Sequence, residues 1–365
     1  MSSVGPSHLP VEEAFIGEDD IELVNVKVDT DMLMTSDGVA LVGVPSTTGG
    51  PDLAVLRGRD VVMRGAIKVA GSRPLVVIGR TIEIAATLDV SADGAGAGPG
   101  AGSGGGEAGR HTGGGANNTA DSGGGGAGFG TDGAPGGDVC IDDGDSMLDP
   151  GSGGVAGVVI GDGELTILRG GSTGGAGAQA ASGQESTTCP VKSHGGGGGG
   201  AVQLSARDMV VVSGVIDASG GGGEGGVVCG NVSAGGGAGG GSGGAIFIEA
   251  ASITVSGMVA ANGGGGGGGA HAQLNTPFAT LAGLPGGDGE ITAVGKGGPS
   301  VGPNGNGGGF AGGDGGFGVT APLAGVSACL GQTGGGGGAV GRIVLRGGTI
   351  ATDGLVSPSP VILTP

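Results

Sequence analysis

Three times along this chain a run of glycines passes without a break into an alternating apolar segment: Gly199-Gly200-Ala201-Val202-Gln203-Leu204, Gly243-Gly244-Ala245-Ile246-Phe247-Ile248 and Gly337-Gly338-Ala339-Val340-Gly341-Arg342-Ile343. Each continues into further short apolar pairs. The second carries Ile246/Ile248, Ile253/Val255 and Val259/Ala261. The first matches it with Val202/Leu204, Val210/Val212 and Ile216/Ala218, and the third with Ile343/Leu345, Ile350 and Val356. Alternation of period two marks strands with one face turned inward. A single unit of two or three such pairs has no partner for that face, whereas a stack of units buries it continuously. The pattern predicts an all-β chain, a right-handed parallel β-solenoid, with Leu204, Val212, Ile248 and Val255 inward and Phe247 and Thr254 outward.

The same unit is legible nearer the N-terminus. One module offers the inner pairs Leu53/Val55, Val61/Met63 and Ile67/Val69, and the next Val76/Ile78, Ile82/Ile84 and Leu88/Val90; alternation begins at Ile21 and runs through Val24, Val26 and Val28. Residues 1–20 read as a flexible lead and 21–92 as N-terminal coils. A glycine-rich insertion follows over 93–200, with a partial coil near 155–170. Two coils occupy 201–262 around a glycine-rich loop, 220–244. A second insertion spans 263–338, the last coil 339–357 and a proline-punctuated tail 358–365. Ordered loops of this length have to satisfy their own N–H and C=O groups. Strands of the polyproline II type that lack side chains lie close enough to hydrogen-bond sideways. The runs 195–200, 263–269 and 334–338 therefore predict polyglycine II-like loops stacked beside the coils.

Composition narrows the alternatives. The 365 residues include 102 glycines and 17 prolines, about a third of the chain. Collagen needs glycine at every third position and far more proline. Hydrophobic residues at 37% against charged ones at 13% reverse the balance of a disordered chain. With no Trp, no Tyr and six Phe, the core has to be aliphatic. A net charge of −19 argues against nucleic acid or an anionic membrane as partner, since both need a basic face. No apolar run approaches the roughly 20 residues of a membrane span. Divalent cations and neutral glycans remain.

The four cysteines, Cys140, Cys189, Cys229 and Cys329, all sit in glycine-rich stretches and make no C-x-x-C pair. An even number in loops predicts disulfides in an oxidising compartment, with Cys140–Cys189 expected within the first insertion and Cys229–Cys329 between stacked loops. The acidic segment around Asp142, Asp143, Asp145 and Asp149 is the candidate Ca²⁺ site, although it lacks the spacing of an EF-hand and reads more simply as an acidic loop. No other cofactor is expected. Asp89 and Asp217 hold the same place in their modules, as L-D-V-S and I-D-A-S. Stacked, they would form an acid pair; at a coil corner they would be ordinary solvated carboxylates.

The repeat G-G-A-[IV]-x-[IL] followed by [IV]-x-V-S-G-x-[IV]-x-A-x-G resembles the repeats of secreted bacterial parallel β-helix proteins of the filamentous-haemagglutinin type. The likeness covers the modules and not the glycine insertions. It implies a protein of the cell surface or extracellular space, with adhesive or filamentous character. The expectation is a non-catalytic structural or adhesive protein, with a β-helix carbohydrate-active enzyme and an ice- or glycan-binding module as alternatives. Its partners would be a surface glycan or a second copy of itself, through head-to-tail strand addition by Val361, Ile362, Leu363 and Thr364.

Overall fold

A computed structural model describes residues 6–102, 106, 122–142, 148–151, 153–178, 192–229, 233–271, 281–302, 308–328 and 331–364. Strands begin where the alternation begins. β1 (Ile21–Val24), β2 (Lys27–Asp29), β3 (Met34–Thr35) and β4 (Val42–Val44) are short. They are followed by β5 (Leu53–Arg57), β6 (Asp60–Ala70) and the long β7 (Leu75–Asp89). β8 (Val139–Asp142) and β9 (Leu148–Gly151) form a hairpin within the first insertion. The repeated modules give β10 (Ala201–Val212) with β11 (Val215–Asp217), and, after the small hairpin β12 (Val228–Cys229) and β13 (Ser233–Ala234), β14 (Ala245–Val255) with β15 (Met258–Ala260). β16 (Gly308–Gly309) and β17 (Gly331–Gln332) precede β18 (Arg342–Thr352), β19 (Leu355–Ser357) and β20 (Val361–Leu363). Among the described residues the helical structure is one 3-10 turn, Val11–Glu13.

Fourteen of these strands belong to one mixed, largely parallel sheet, in which β7, β10, β14 and β18 are successive neighbours. The register matches the sequence repeat. Leu75, Val202, Ile246 and Ile343 form one column of neighbours, and Val77, Leu204, Ile248 and Leu345 the next. Ile82, Val210, Ile253 and Ile350 follow, and then Leu88, Ile216, Val259 and Val356. All but Ile350 and Val356, which are partly buried, lie inside one aliphatic core. The V-S-G step of the repeat is the corner between the second and third strand of a module. A side chain at Gly214 would put its Cβ 2.1 Å from the carbonyl oxygen of Ala86, and one at Gly257 would stand 1.9 Å from that of Gly214. Only glycine lets successive corners stack this closely.

The first strand of each module is buried on both faces, and here the sequence reading needs correcting. Ala54 and Leu56 of β5 and Leu75 and Val77 of β7 face the main core. Leu53, Val55, Val76 and Ile78, expected inward, face a second apolar cluster on the other side. Unbroken apolar runs such as L-A-V-L and L-V-V-I carry no period-two signal, so their frame is not readable from sequence. Phe247 does point away from Ile246 and Ile248, yet it is buried in the second cluster; Thr254 is half-buried. The cover over this face comes from Leu9, Phe129, Leu165 and Leu168. Residues 155–170, where a partial coil was expected, contain no strand and supply part of that cover. The N-terminal lead is seated there too: Arg57 pairs with Glu13 at 2.6 Å and lies 4.4 Å from the ring centre of Phe15.

Beside the sheet, the glycine runs bond to one another sideways. Run 234–244, which leads into β14, shows the rule. The amides of Gly237, Gly240 and Gly243 donate to Thr333, Gly336 and Ala339. Those of Ala238 and Gly241 donate to Glu224 and Gly221, and those of Gly239 and Ser242 to Gly175 and Ser172. Its carbonyls accept in the same rotation, Gly237 and Gly240 from Gly124 and Ala127, Gly239 and Ser242 from Gly196 and Gly199, Ala238 and Gly241 from Gly267 and Gly264. Every third residue thus meets the same neighbour, the period of an extended threefold helix. The run is enclosed on all sides: a Cβ at Gly237 would lie 2.0 Å from the oxygen of Gly267, and one at Gly241 1.9 Å from that of Gly197. Runs 193–200, 234–244 and 332–341 stand side by side in the order of the strands β10, β14 and β18 that they enter.

Candidate functional site

Runs 193–200, 234–244 and 332–341 are each fixed at one end by the strand they enter, β10, β14 or β18. The opposite ends gather together. Gly177 donates to Ser193, Ala178 to Ser122, Gly123 to Gly137, Gly137 to Gly334, Phe310 to Gln332, Gly269 to Phe310, Ala270 to Gly235 and Gly235 to Val227. His271 bridges to Leu281 and Val301 to Gly309. These residues border the connections 138–152, 179–192, 228–233, 272–280, 302–308 and 327–331, and Ser122 is where connection 107–121 returns. All of them therefore leave or enter the glycine lattice at the end remote from β10, β14 and β18. A rigid frame that delivers many connecting segments to one end is the arrangement in which loops carry recognition.

The sequence-predicted residues fall largely in this region. Cys140 lies on β8 opposite Pro150, and Cys229 on β12 opposite Ser233. Cys189 and Cys329 are outside the described residues. Of the Ca²⁺ candidates, Asp142 and Asp149 are on the β8–β9 hairpin, where Asp149 pairs with Ile141; Asp143 and Asp145 are outside the described residues. Among the described residues no group of three or more His, Cys, Asp or Glu is placed to hold a metal ion. Val361, Ile362 and Leu363 form β20, which lies parallel to the chain's own β18, Val361 beside Val344 and Ile362 beside Leu345. Thr364 follows them at the rim of a recess.

That recess, of about 610 Å³, is lined by Ser7, His8, Glu164, Phe247, Arg346 and Leu363 among others. Behind Ser7 and His8 of this lining is a polar cluster that the sequence did not reveal. Gln203, Ser205 and Glu249 occupy outward positions of β10 and β14, which ordinarily meet water, yet Glu249 is 0% and Gln203 0% exposed. The Glu249 carboxylate accepts from Ser7 N (2.9 Å), Ser7 Oγ (2.5 Å), Gln203 Nε2 (2.8 Å) and Ser205 Oγ (2.6 Å). His8 sits edge-on to Phe247, ring centres 4.9 Å apart, with Nδ1 2.7 Å from Gln203 Oε1 and Nε2 2.5 Å from the Leu165 carbonyl. Arg346 Nη1 donates to Ser7 Oγ at 2.8 Å. Four donors occupy the carboxylate and both imidazole nitrogens are engaged. Chemically the cluster is a clamp that fastens the N-terminal lead to the sheet, each buried polar group meeting a partner. The one signal of it in the sequence is a charged residue inside the otherwise apolar A-I-F-I-E-A.

Asp89 and Asp217 are neighbours in register, as expected from their modules. Each closes a turn at the end of its strand: Asp89 Oδ1 accepts from Ser91 N and Oγ at 2.9 and 2.6 Å, and Asp217 Oδ1 from Ser219 N at 3.0 Å. Lys68 Nζ donates to Asp89 at 2.7 Å. Burial pushes the Asp217 carboxyl above the usual carboxylate range; the Ser219 hydrogen bonds oppose this, the Asp89 charge adds to it and Lys68 eases it. The pair works as local turn chemistry.

Comparison of the chain with protein-family models, with curated proteins and with solved structures finds no match.

Proposed function

We propose that this is a non-catalytic structural or adhesive protein of the extracellular space or cell surface, built as a right-handed parallel β-solenoid with polyglycine II-like loops. What carries the reading is the collection of connecting segments at one end of the glycine lattice. A stacked aliphatic core fixes one end of runs 193–200, 234–244 and 332–341, and these runs bond sideways to their neighbours. Such a frame presents segments to a partner without spending its own stability on a cleft. A neutral surface glycan is the favoured partner, in keeping with the net charge of −19. Head-to-tail assembly remains part of the proposal. Because β20 covers the edge of its own β18, the edge offered to a second copy is the outer one of β20, where Ile362 is 54% exposed.

The test combines sedimentation velocity of the full chain over rising concentration with retention on a panel of immobilised neutral polysaccharides. Association into fibres or retention on a polysaccharide is expected. A chain that stays monomeric and is not retained contradicts the reading, and so does one that releases reducing ends from the polysaccharide.

A further inference from the structure

We propose that the recess beside the N-terminal lead binds a sugar unit of a neutral glycan through Arg346 and Glu164. The inference rests on the reading of a glycan partner given above. It places the contact against β14 and β18, away from the end of the lattice where the connecting segments gather. The recess has a volume of about 610 Å³, inside the roughly 300–1,000 Å³ of sites that enclose small ligands. Parts of its lining are saturated. Ser7 Oγ donates to Glu249 and accepts from Arg346, both His8 nitrogens are engaged, and Phe247 is buried. What is open to a ligand is one guanidinium, one carboxylate and a set of hydroxyls.

Among the described residues Arg346 makes a single hydrogen bond, from Nη1 to Ser7 Oγ at 2.8 Å, and no ion pair. A guanidinium carries five N–H donors in a planar fork, so most of them are available. Glu164 is exposed, and its carboxylate has no partner among the described residues. Thr48, Thr166 and Thr364 add hydroxyls to the same lining. Two opposite charges therefore face one recess without pairing with each other. An anion is repelled by Glu164 and a cation by Arg346. A net-neutral molecule rich in both donors and acceptors meets both, through hydrogen bonds to ionised groups, the stronger kind. Neighbouring hydroxyls of a sugar ring supply that pattern: their oxygens accept from the guanidinium and their protons go to the carboxylate. Ile362, 54% exposed, and Leu363 give an apolar flank for the C–H face of the ring.

Both charged groups are set in place before a ligand arrives. Glu164 belongs to a turn closed by Asp162, whose Oδ1 accepts from Glu164 N and from Thr166 N at 3.1 Å each. Leu165, between them, has a φ of 55°, in the left-handed region that leucine rarely adopts. Its side chain is buried in the second apolar cluster, and its carbonyl accepts from His8 Nε2. Arg346 stands on β18 and is tied to the lead through Ser7. Groups held in this way lose little freedom when a ligand binds.

The test is an NMR titration of the full, nitrogen-15-labelled chain with maltohexaose, cellohexaose, mannohexaose and chitohexaose in turn, and with alanine as a zwitterion. At least one of the sugars is expected to shift, saturably, the Arg346 Nε–H and the amides of Glu164, Leu165, Thr166, Leu363 and Thr364, and alanine to leave them unmoved. Shifts confined to residues that border the connecting segments, such as Gly177, Gly235 and Gly269, overturn the recess and leave the glycan reading standing. No shift with any sugar overturns both. Shifts with alanine and not with the sugars overturn the assigned ligand. As a second arm, Arg346→Met and Glu164→Ala are each expected to weaken binding about tenfold or more. Glu164 lies outside the clamp, so its variant reads the site even if Arg346→Met loosens the lead. Binding of Glu164→Ala as tight as the parent's overturns the proposal.

Discussion

Asp217 and Glu249 are both carboxylates withdrawn from water, and their surroundings treat them oppositely. Asp217 has hydrogen bonds from Ser219 alone and the like charge of Asp89 beside it, and burial raises its pKa in the folded chain. Folding therefore takes up a proton in the window between its ordinary and its raised value, so the stability tied to this group grows as pH falls through the raised value and is least above it. Asp217→Asn keeps an acceptor for Ser219 N and removes the charge. Its melting temperature is expected to exceed the parent's at pH 7, with the gap closing as the medium is acidified; a gap that is the same at every pH refutes the assignment. Glu249, by contrast, has four donors pointing at it. Glu249→Ala strands those donors, and a buried, broken network of this kind costs about 2–4 kcal/mol. Urea titration checks this, and Glu249→Gln, which keeps an acceptor oxygen, is expected to lose markedly less. Equal losses in the two variants contradict the clamp.

At the level of elements, the strand modules and the glycine runs obey different rules, and they were legible to different degrees. The columns through Val255 and Ile216 followed from period-two alternation, because those strands have one wet or loosely covered face. The frame of the L-A-V-L run in β5 and the L-V-V-I run in β7 did not, because both faces there are dry and every position is apolar. The clamp at Glu249 was hidden for a related reason: an outward glutamate reads as solvated until the lead from Ser7 to Leu9 is laid over it, and that lead looks like an ordinary polar terminus. The glycine lattice was readable as a tendency to bond sideways, while its neighbour order came from the strands each run enters. Glycine is required there by contact. Gly240→Ala brings a Cβ within 2.1 Å of the Gly264 oxygen, whereas a Cβ at Gly163 meets nothing within 4 Å. Overpacking of this sort costs about 1–3 kcal/mol or more. Gly240→Ala is expected to be destabilised by at least that much in thermal or urea unfolding, and Gly163→Ala to be within about 0.5 kcal/mol of the parent. Matching stabilities for the two would mean that run 234–244 is not enclosed.

For the molecule as a whole, the question is why glycine-rich segments stay ordered at all. Fixing one residue's backbone costs about 1–2 kcal/mol, and a hydrogen bond returns a net of about 0.5–1.5 kcal/mol. Taken alone the lattice is close to balance. Its order therefore depends on the sheet, which fixes runs 193–200, 234–244 and 332–341 at the strands they enter and sets their spacing. The aliphatic columns, each buried side chain contributing about 1.5–3 kcal/mol, supply the surplus. The lattice and the sheet should then open together as one cooperative unit. Residue-resolved amide hydrogen exchange tests this most directly. The account predicts that amides of Gly237 to Gly241 are protected as strongly as those of Ile246 and Ile248, and that all lose protection together as urea is raised. Exchange of the glycine amides at the rate of an unfolded chain, while Ile246 and Ile248 stay protected, would contradict it.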